Sequence, residues 1–256
     1  MIHPTALIDP QAELADDVEV GPYTIIDAKV RIDSGTRIGP NAVITGRTTI
    51  GKNNHIFQFT SIGEQPQDKK YAGEDTELII GDNNTVREMC TFSRGSAQGG
   101  GVTRIGNDNW IMACVHIAHD CILGDNIIMA NNTSLAGHVT IGDNAILSGY
   151  SLIHQFCSVG EYSFTSFASA VNQSIPPYVT VSGEKARAKG INTEGLKRHG
   201  FTSEQINNVR RAYKTLYRES LPLTEATERL TAMAADSPEI QILVDFLKLA
   251  ERGIIR

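Results

Sequence analysis

Ile38-Gly39-Pro40-Asn41-Ala42-Val43-Ile44-Thr45-Gly46-Arg47-Thr48-Thr49-Ile50 carries an isoleucine at every sixth position. Stepping outward by six keeps the rhythm: Ile2, Ile8, Leu14, Val20, Ile26 and Ile32 precede it, and Ile56 and Ile62 follow. Four residues beyond each aliphatic stands a mostly small residue, as at Ala6, Ala12, Val18, Ala42 and Thr48. A period of six is neither the two of an alternating strand nor the 3.6 of an amphipathic helix. It is the signature of a parallel β-helix, in which each short strand sends an aliphatic inward and then turns a corner. Three strands make a coil of about eighteen residues, and stacked coils lie ~4.8 Å apart through strand-to-strand hydrogen bonds. Corners such as Ile38-Gly39-Pro40-Asn41 and Ile141-Gly142-Asp143-Asn144 supply residues that tolerate φ > 0.

The register resumes at Ile80, Val86 and Phe92 and slips by one residue in Gln98-Gly99-Gly100-Gly101. From Ile105 it runs to Val171, with only Thr165 out of class. The charged stretch Gln65 to Glu77 and the glycine-rich Gln98 to Thr103 read as surface excursions, where function often resides. After about Ser182 helical signals take over. Thr202 and Gln205 fit a capping box ahead of Ile206, Val209, Tyr213 and Leu216, and Ser237-Pro238 fits an N-cap and first turn ahead of Ile240, Val244 and Leu247. The expected organisation is mainly β: a parallel β-helix over 1–184, with excursion loops near 65–77 and 98–103, then an α-helical C-terminal domain over 185–256.

Composition agrees with a globular chain of 256 residues that builds its core from aliphatics, since hydrophobic residues are 41% and aromatics only 6%. A net charge of −6 argues against a nucleic-acid partner held by overall positive charge. No apolar run approaches the ~20 residues of a membrane span, and Met1-Ile2-His3-Pro4-Thr5 lacks the start of a signal peptide, so a cytoplasmic location is expected. Cys90, Cys114, Cys121 and Cys157 form no C-x-x-C pair and read as free thiols. Three of them fall on the small interior phase of the repeat.

Residues one coil apart lie nearly above one another, so phase predicts neighbours. One coil beyond His119 is Gly137 and two coils beyond is Gln155; His138 and His154 each fall within one position of that line, and His116 precedes His119 by three. A histidine edge of this kind suits general base catalysis, because imidazole is partly neutral near pH 7. It suits a three-imidazole zinc site equally well. Asp120 beside His119 would fix its tautomer in either case. The bare backbone N–H of Gly137 is a candidate oxyanion donor, although glycine at a corner is more often only a turn residue. From Lys185 to Arg218 nine bases face Glu194 and Glu204, a local +7 that implies an acidic partner.

These residues carry a likeness. His116-Ile117-Ala118-His119-Asp120-Cys121, Leu135-Ala136-Gly137-His138-Val139, Ile153-His154-Gln155-Phe156-Cys157 and Asn192-Thr193-Glu194-Gly195-Leu196-Lys197-Arg198 together resemble the UDP-N-acetylglucosamine O-acyltransferase family that begins lipid A biosynthesis. The resemblance extends through Gln67-Asp68-Lys69-Lys70-Tyr71-Ala72-Gly73-Glu74 and the helical tail. It implies left-handed coiling, a homotrimer with sites between subunits, and no metal or cofactor. It also implies transfer of an (R)-3-hydroxyacyl group from acyl carrier protein to the glucosamine 3-position of UDP-N-acetylglucosamine.

Carried onto this chain, the resemblance makes His119 the general base, Asp120 its orienting partner and the Gly137 N–H the oxyanion donor. Asp68, Lys70, His138 and Gln155 would hold the sugar nucleotide, with Gln67, His116 and His154 nearby. Asn192, Glu194 and Arg198 would recognise nucleotide and phosphates, and Arg210, Arg211 and Lys214 would dock the acidic carrier. Phe167 falls where the family limits acyl length. Ser93 stands before Arg94-Gly95 where the family often has histidine. The competing readings are a γ-carbonic-anhydrase-like zinc hydratase and a non-catalytic sugar-nucleotide-binding scaffold.

Overall fold

A computed structural model describes residues 1–250 and 252–256. Short parallel strands, most of them two residues long, wind into coils that build three flat sheets. The first face begins with Leu7–Ile8 and holds nine strands. The second begins with Glu13–Leu14 and holds eight; the third begins with Glu19–Val20 and holds ten. The aliphatics of the six-residue rhythm fill the interior: Ile26, Ile44, Ile50, Ile56, Ile62, Ile111, Ile117, Leu135 and Leu147 are each at most 1% exposed. Truncating one of them to alanine would cost about 2–5 kcal/mol, because neighbouring coils cannot collapse into the gap. Thr165, the exception in the rhythm, is also interior; its hydroxyl lies 2.6 Å from that of Ser151 and accepts from the Ser148 N–H at 3.0 Å.

The corners divide their work between two residue types. At Ile38-Gly39-Pro40-Asn41 it is Asn41 that takes positive φ (55°), and at Ile141-Gly142-Asp143-Asn144 it is Asn144 (60°). The glycines serve close approach instead: a Cβ on Gly39 would stand 2.7 Å from the Gln58 nitrogen of the next coil.

Partner residues step by eighteen at Leu7↔Ile25, by thirty at Arg47↔Glu77 and by twenty-five at Glu77↔Val102. The coil therefore leaves the prism twice. The second departure inserts seven residues around a short 3₁₀ turn at Ala97–Gly99, one full period plus one, which produces the one-residue slip of register seen in the sequence. It starts at Arg94, four residues before the expected Gln98.

Beyond the last coil, Arg187–Ile191 pairs antiparallel with Val179–Ser182, so the first residues assigned to the helical domain still belong to the third sheet. Helices follow at α1 (Thr193–Arg198), α2 (Ser203–Tyr217), α3 (Leu223–Ala234) and α4 (Pro238–Leu249). The capping box of α2 forms as expected. At α4 the Ser237 hydroxyl caps nothing and instead accepts from the buried Asn208 amide. Leu196, Ile206, Val209, Leu216, Leu230, Ile240 and Val244 form a second core, while Tyr213 and Tyr217 of α2 pack on the core of the prism.

Candidate active site

His119 and Asp120 occupy the corner between the first and second faces, after the strand His116–Ile117. The corner repeats one coil later as Gly137-His138 and again as Gln155-Phe156. Asp120, His138 and Phe156 all hold positive φ (61°, 62° and 63°). The same backbone shape repeated coil after coil stacks their side chains. The His138 ring lies parallel to that of Phe156 at 4.4 Å, and the His119 ring meets His138 edge to face at 5.2 Å.

Asp120 is the buried member, with its side chain 1% exposed. A carboxylate taken from water needs several partners to offset its lost hydration, and this one has them. Its Oδ2 lies 2.7 Å from His119 Nδ1 and accepts from Ser96 Oγ at 2.6 Å, while Oδ1 accepts from the Ser96 N–H at 2.8 Å. The Asp120 N–H donates to Thr103 Oγ1 at 2.8 Å. With Nδ1 engaged by the carboxylate as a donor, His119 Nε2 is left as the acceptor. Gly137 stands against that ring: a Cβ there would lie 2.6 Å from His119 Cε1 and 2.8 Å from Nε2. Among the described residues the Gly137 N–H takes no hydrogen bond.

His138 Nε2 lies 3.7 Å from Asp120 Oδ2. Burial holds its pKa below the ordinary 6.5, against the opposing pull of Asp120; Asp68 of the first excursion is close enough to pull the same way. His116 is held down chiefly by burial too, and its Nδ1 lies 2.8 Å from Thr91 Oγ1.

The expected edge of three imidazoles does not form. His119, His138 and Asp120 gather at one point, whereas exposed His154 lines a groove of about 480 Å³ on the first face together with His116, Leu135 and Leu152. His154 precedes the corner, in the phase of Ala118 and Ala136, and so falls on the face rather than the ridge. The carboxylate oxygens of the gathered group are already engaged by three donors, which suits a base–orienter pair better than a metal ligand set.

Gln67 and Lys70 are exposed on the first excursion and Asp68 is half-buried there; Gln155 is exposed at the corner. Asn192, Glu194 and Arg198 lie elsewhere. They edge a groove of about 430 Å³ against Ile146, Phe164 and Thr180 on the third face, opposite the His119 corner in a three-sided prism. Asn192 caps α1 by accepting from the Gly195 N–H and donates to Tyr162 O at 2.9 Å; Glu194 pairs with Lys197 at 2.8 Å. One chain therefore does not bring these three to His119. Arg210, Arg211 and Lys214 are exposed on α2. Phe167, 68% exposed, stands at the corner between the third and first faces, across the first face from His119.

Cys90, Cys121 and Cys157 are buried, with burial pushing the first two thiols up to about 12 and the third to about 11. They are core residues. Ser96 and Thr103, which hold Asp120, escaped sequence reasoning: Ser96 lies outside the six-residue phase, and Thr103, although on its small interior position two residues before Ile105 and within the strand Val102–Ile105, falls in the stretch expected as an excursion.

Hexapeptide coils, a helical tail and a histidine–aspartate corner define a transferase of the hexapeptide class. The family described as bacterial transferase hexapeptide (six repeats) matches residues 103–137, and Udp N-acetylglucosamine O-acyltransferase, domain 2, matches 175–255. The acyl-[acyl-carrier-protein]–UDP-N-acetylglucosamine O-acyltransferase of Thiobacillus denitrificans is 58% identical over 255 residues, covering 100% of this chain and 99% of its own. That of Halorhodospira halophila is 56% identical with the same coverage. The solved UDP-N-acetylglucosamine acyltransferase of Francisella novicida superposes with a TM-score of 0.99 at 42% identity, covering 100% of this chain and 94% of that one. LpxA from Acinetobacter baumannii superposes at 0.98 and 47%, covering 100% and 99%. The chain belongs to the acyl-[acyl-carrier-protein]–UDP-N-acetylglucosamine O-acyltransferase family.

Proposed function

We propose that this protein moves an (R)-3-hydroxyacyl chain from acyl carrier protein to the glucosamine 3-hydroxyl of UDP-N-acetylglucosamine, the first step of lipid A biosynthesis. The observation that supports the reading most directly is the His119 ring, tied to buried Asp120 through Nδ1 and packed against Gly137, whose N–H makes no hydrogen bond among the described residues. His119 Nε2 takes the proton of the sugar hydroxyl as its oxygen attacks the thioester carbonyl. Charge that develops on the carbonyl oxygen is met by the Gly137 N–H. The C–S bond then breaks, and the thiol of the carrier leaves with the proton returned from Nε2. General base catalysis of this kind contributes typically ~10² to 10⁴ in rate.

Asp68, Lys70, His138 and Gln155, with Gln67, hold the sugar nucleotide around this corner, and His116 and His154 extend the contact along the adjoining groove of the first face. Asn192, Glu194 and Arg198 act on the nucleotide of a neighbouring copy, because within one chain they lie on the far face. This separation supports a homotrimer in which each cleft is lined by two subunits. The exposed Arg210, Arg211 and Lys214 receive the acidic carrier, and the reaction runs in the cytoplasm. No described helix is long and apolar enough to cross a membrane.

The test is to incubate the protein with UDP-N-acetylglucosamine and carrier proteins bearing 3-hydroxyacyl chains of graded length, and to weigh the product. A mass gain of one acyl group is expected. No gain with any donor length would overturn the reading.

A further inference from the structure

We infer that Arg94-Gly95-Ser96 is a yoke that locks the substrate loop and the catalytic corner into one geometry, with Arg94 and Ser96 as positioning residues for acyl transfer. Three successive backbone N–H groups make the connection. Arg94 N donates to Glu64 O at 3.1 Å, where the chain leaves the prism for the first excursion. Gly95 N donates to Glu77 O at 3.0 Å, where the chain returns. Ser96 N donates to Asp120 Oδ1 at 2.8 Å. Both feet of the loop and the catalytic carboxylate are thus held by consecutive residues.

Side chains extend each end. The Arg94 guanidinium donates to Gly63 O at 2.8 Å and, through Nε and Nη2, to the Tyr71 hydroxyl at 3.2 and 2.9 Å. That hydroxyl donates in turn to Glu74 O at 2.7 Å, closing the loop on itself, and the Tyr71 N–H donates to Asp68 O at 3.0 Å. At the other end Ser96 Oγ donates to Asp120 Oδ2 at 2.6 Å, the oxygen that also meets His119 Nδ1. Gly95 between them admits no side chain, since a Cβ would lie 2.2 Å from the Val102 nitrogen. A continuous path of hydrogen bonds and covalent chain therefore runs from Asp68 through Tyr71, Arg94 and Ser96 to Asp120 and His119.

The two ends have different jobs. The fork of Arg94 fixes where Asp68 and Lys70 stand and so acts on sugar-nucleotide binding; a lysine in its place offers a single point of charge without the fork. Ser96 fixes the plane of the Asp120 carboxylate and so acts on the base. Partners that orient metal-bound histidines and carboxylates are worth about 10–100-fold, and the lower end of that range is expected for Ser96, which orients the carboxylate partner of a base.

This inference rests on His119 and Asp120 being the base and its orienter, so His119→Ala is assayed beside the other variants. Initial rates are measured with the sugar nucleotide varied at saturating acyl donor, and folding is checked by thermal melting. Ser96→Ala is expected to lower kcat about tenfold while KM for UDP-N-acetylglucosamine stays within about twofold, and Ser96→Thr to restore kcat. Arg94→Gln is expected to raise that KM about tenfold with a smaller change in kcat, and Arg94→Lys not to restore it. Ser96→Cys keeps the shape with a weaker donor and is read the same way should the alanine variant fail to accumulate. Inactive His119→Ala together with wild-type kcat in Ser96→Ala, or no rescue by threonine, would overturn the inference alone. Full activity in His119→Ala would remove the base assignment and the inference with it.

Discussion

The imidazoles of His119 and His138, one coil and one residue apart in the chain, meet edge to face with ring centroids 5.2 Å apart. Neither hydrogen bonds to the other; the carboxylate of Asp120 reaches towards both, at 2.7 Å from one and 3.7 Å from the other. In the proposed reaction this geometry divides labour: the nearer ring is oriented for proton transfer, and the farther, whose pKa burial lowers, holds a hydroxyl of the sugar.

His119→Ala should fold normally, since the ring lies on an outer ridge, and should lose at least about a hundredfold in transferase rate. Gly137→Ala should lose a comparable factor for a steric reason, because the new methyl would occupy space within 2.8 Å of His119 Nε2. Steady-state rates with circular dichroism as the folding control decide both, and full activity in either variant would contradict the proposed mechanism.

Burial depresses the pKa values of His116 and His138 below the ordinary 6.5. The unfolded chain takes up these protons near that value and the fold only at lower pH, so acid favours unfolding. Their contribution to stability is complete above about pH 7 and is lost as pH falls through 6.5 towards the folded values. His138 is the more solvent-screened of the two, which leaves His116 the larger share. Melting temperature should fall between about pH 7.5 and 5.5, and His116→Gln should flatten that fall. An unchanged slope in the variant would refute the assignment.

Phe167 places a phenyl ring at the far edge of the first face, 5.6 Å from the Tyr150 ring. Proposed as the stop for the acyl chain, it should favour shorter donors. Phe167→Gly should shift selectivity towards longer 3-hydroxyacyl chains in competition assays with mixed donors, and an identical product profile would exclude it.

Arg210→Glu with Arg211→Glu reverses charge on the exposed side of α2. KM for the carrier-borne donor should rise about tenfold at low salt, because steering by surface charge is screened and reversible. KM for UDP-N-acetylglucosamine should not move. Equal KM values for the carrier in variant and wild type would place the docking surface elsewhere.

The prism was legible in the sequence because its rule is local: one aliphatic every six residues, with Ile38, Ile44 and Ile50 each sealed inside. The meeting of His119 with His138 followed from the same rule, since stacking turns phase into proximity. His154 escaped it, because a single residue of phase separates a ridge from a face. The helical boundary was placed early, as Arg187–Ile191 extends the third sheet without carrying the six-residue mark. Ser96 and Arg94 were invisible for a different reason. Residues that leave the repeat surrender the phase that would place them, and the hydrogen bonds that return them to Asp120 and Tyr71 exist only in three dimensions.

His119 and Arg198 lie on opposite sides of one prism, and a reaction that needs both must borrow one of them. Two inactive preparations, one bearing His119→Ala and the other Arg198→Ala, should regain turnover when unfolded together and reassembled, although neither polypeptide works alone. Measured against unmixed controls, that recovery would show that each cleft is furnished by two chains, so that a defect in one is made good by its neighbour.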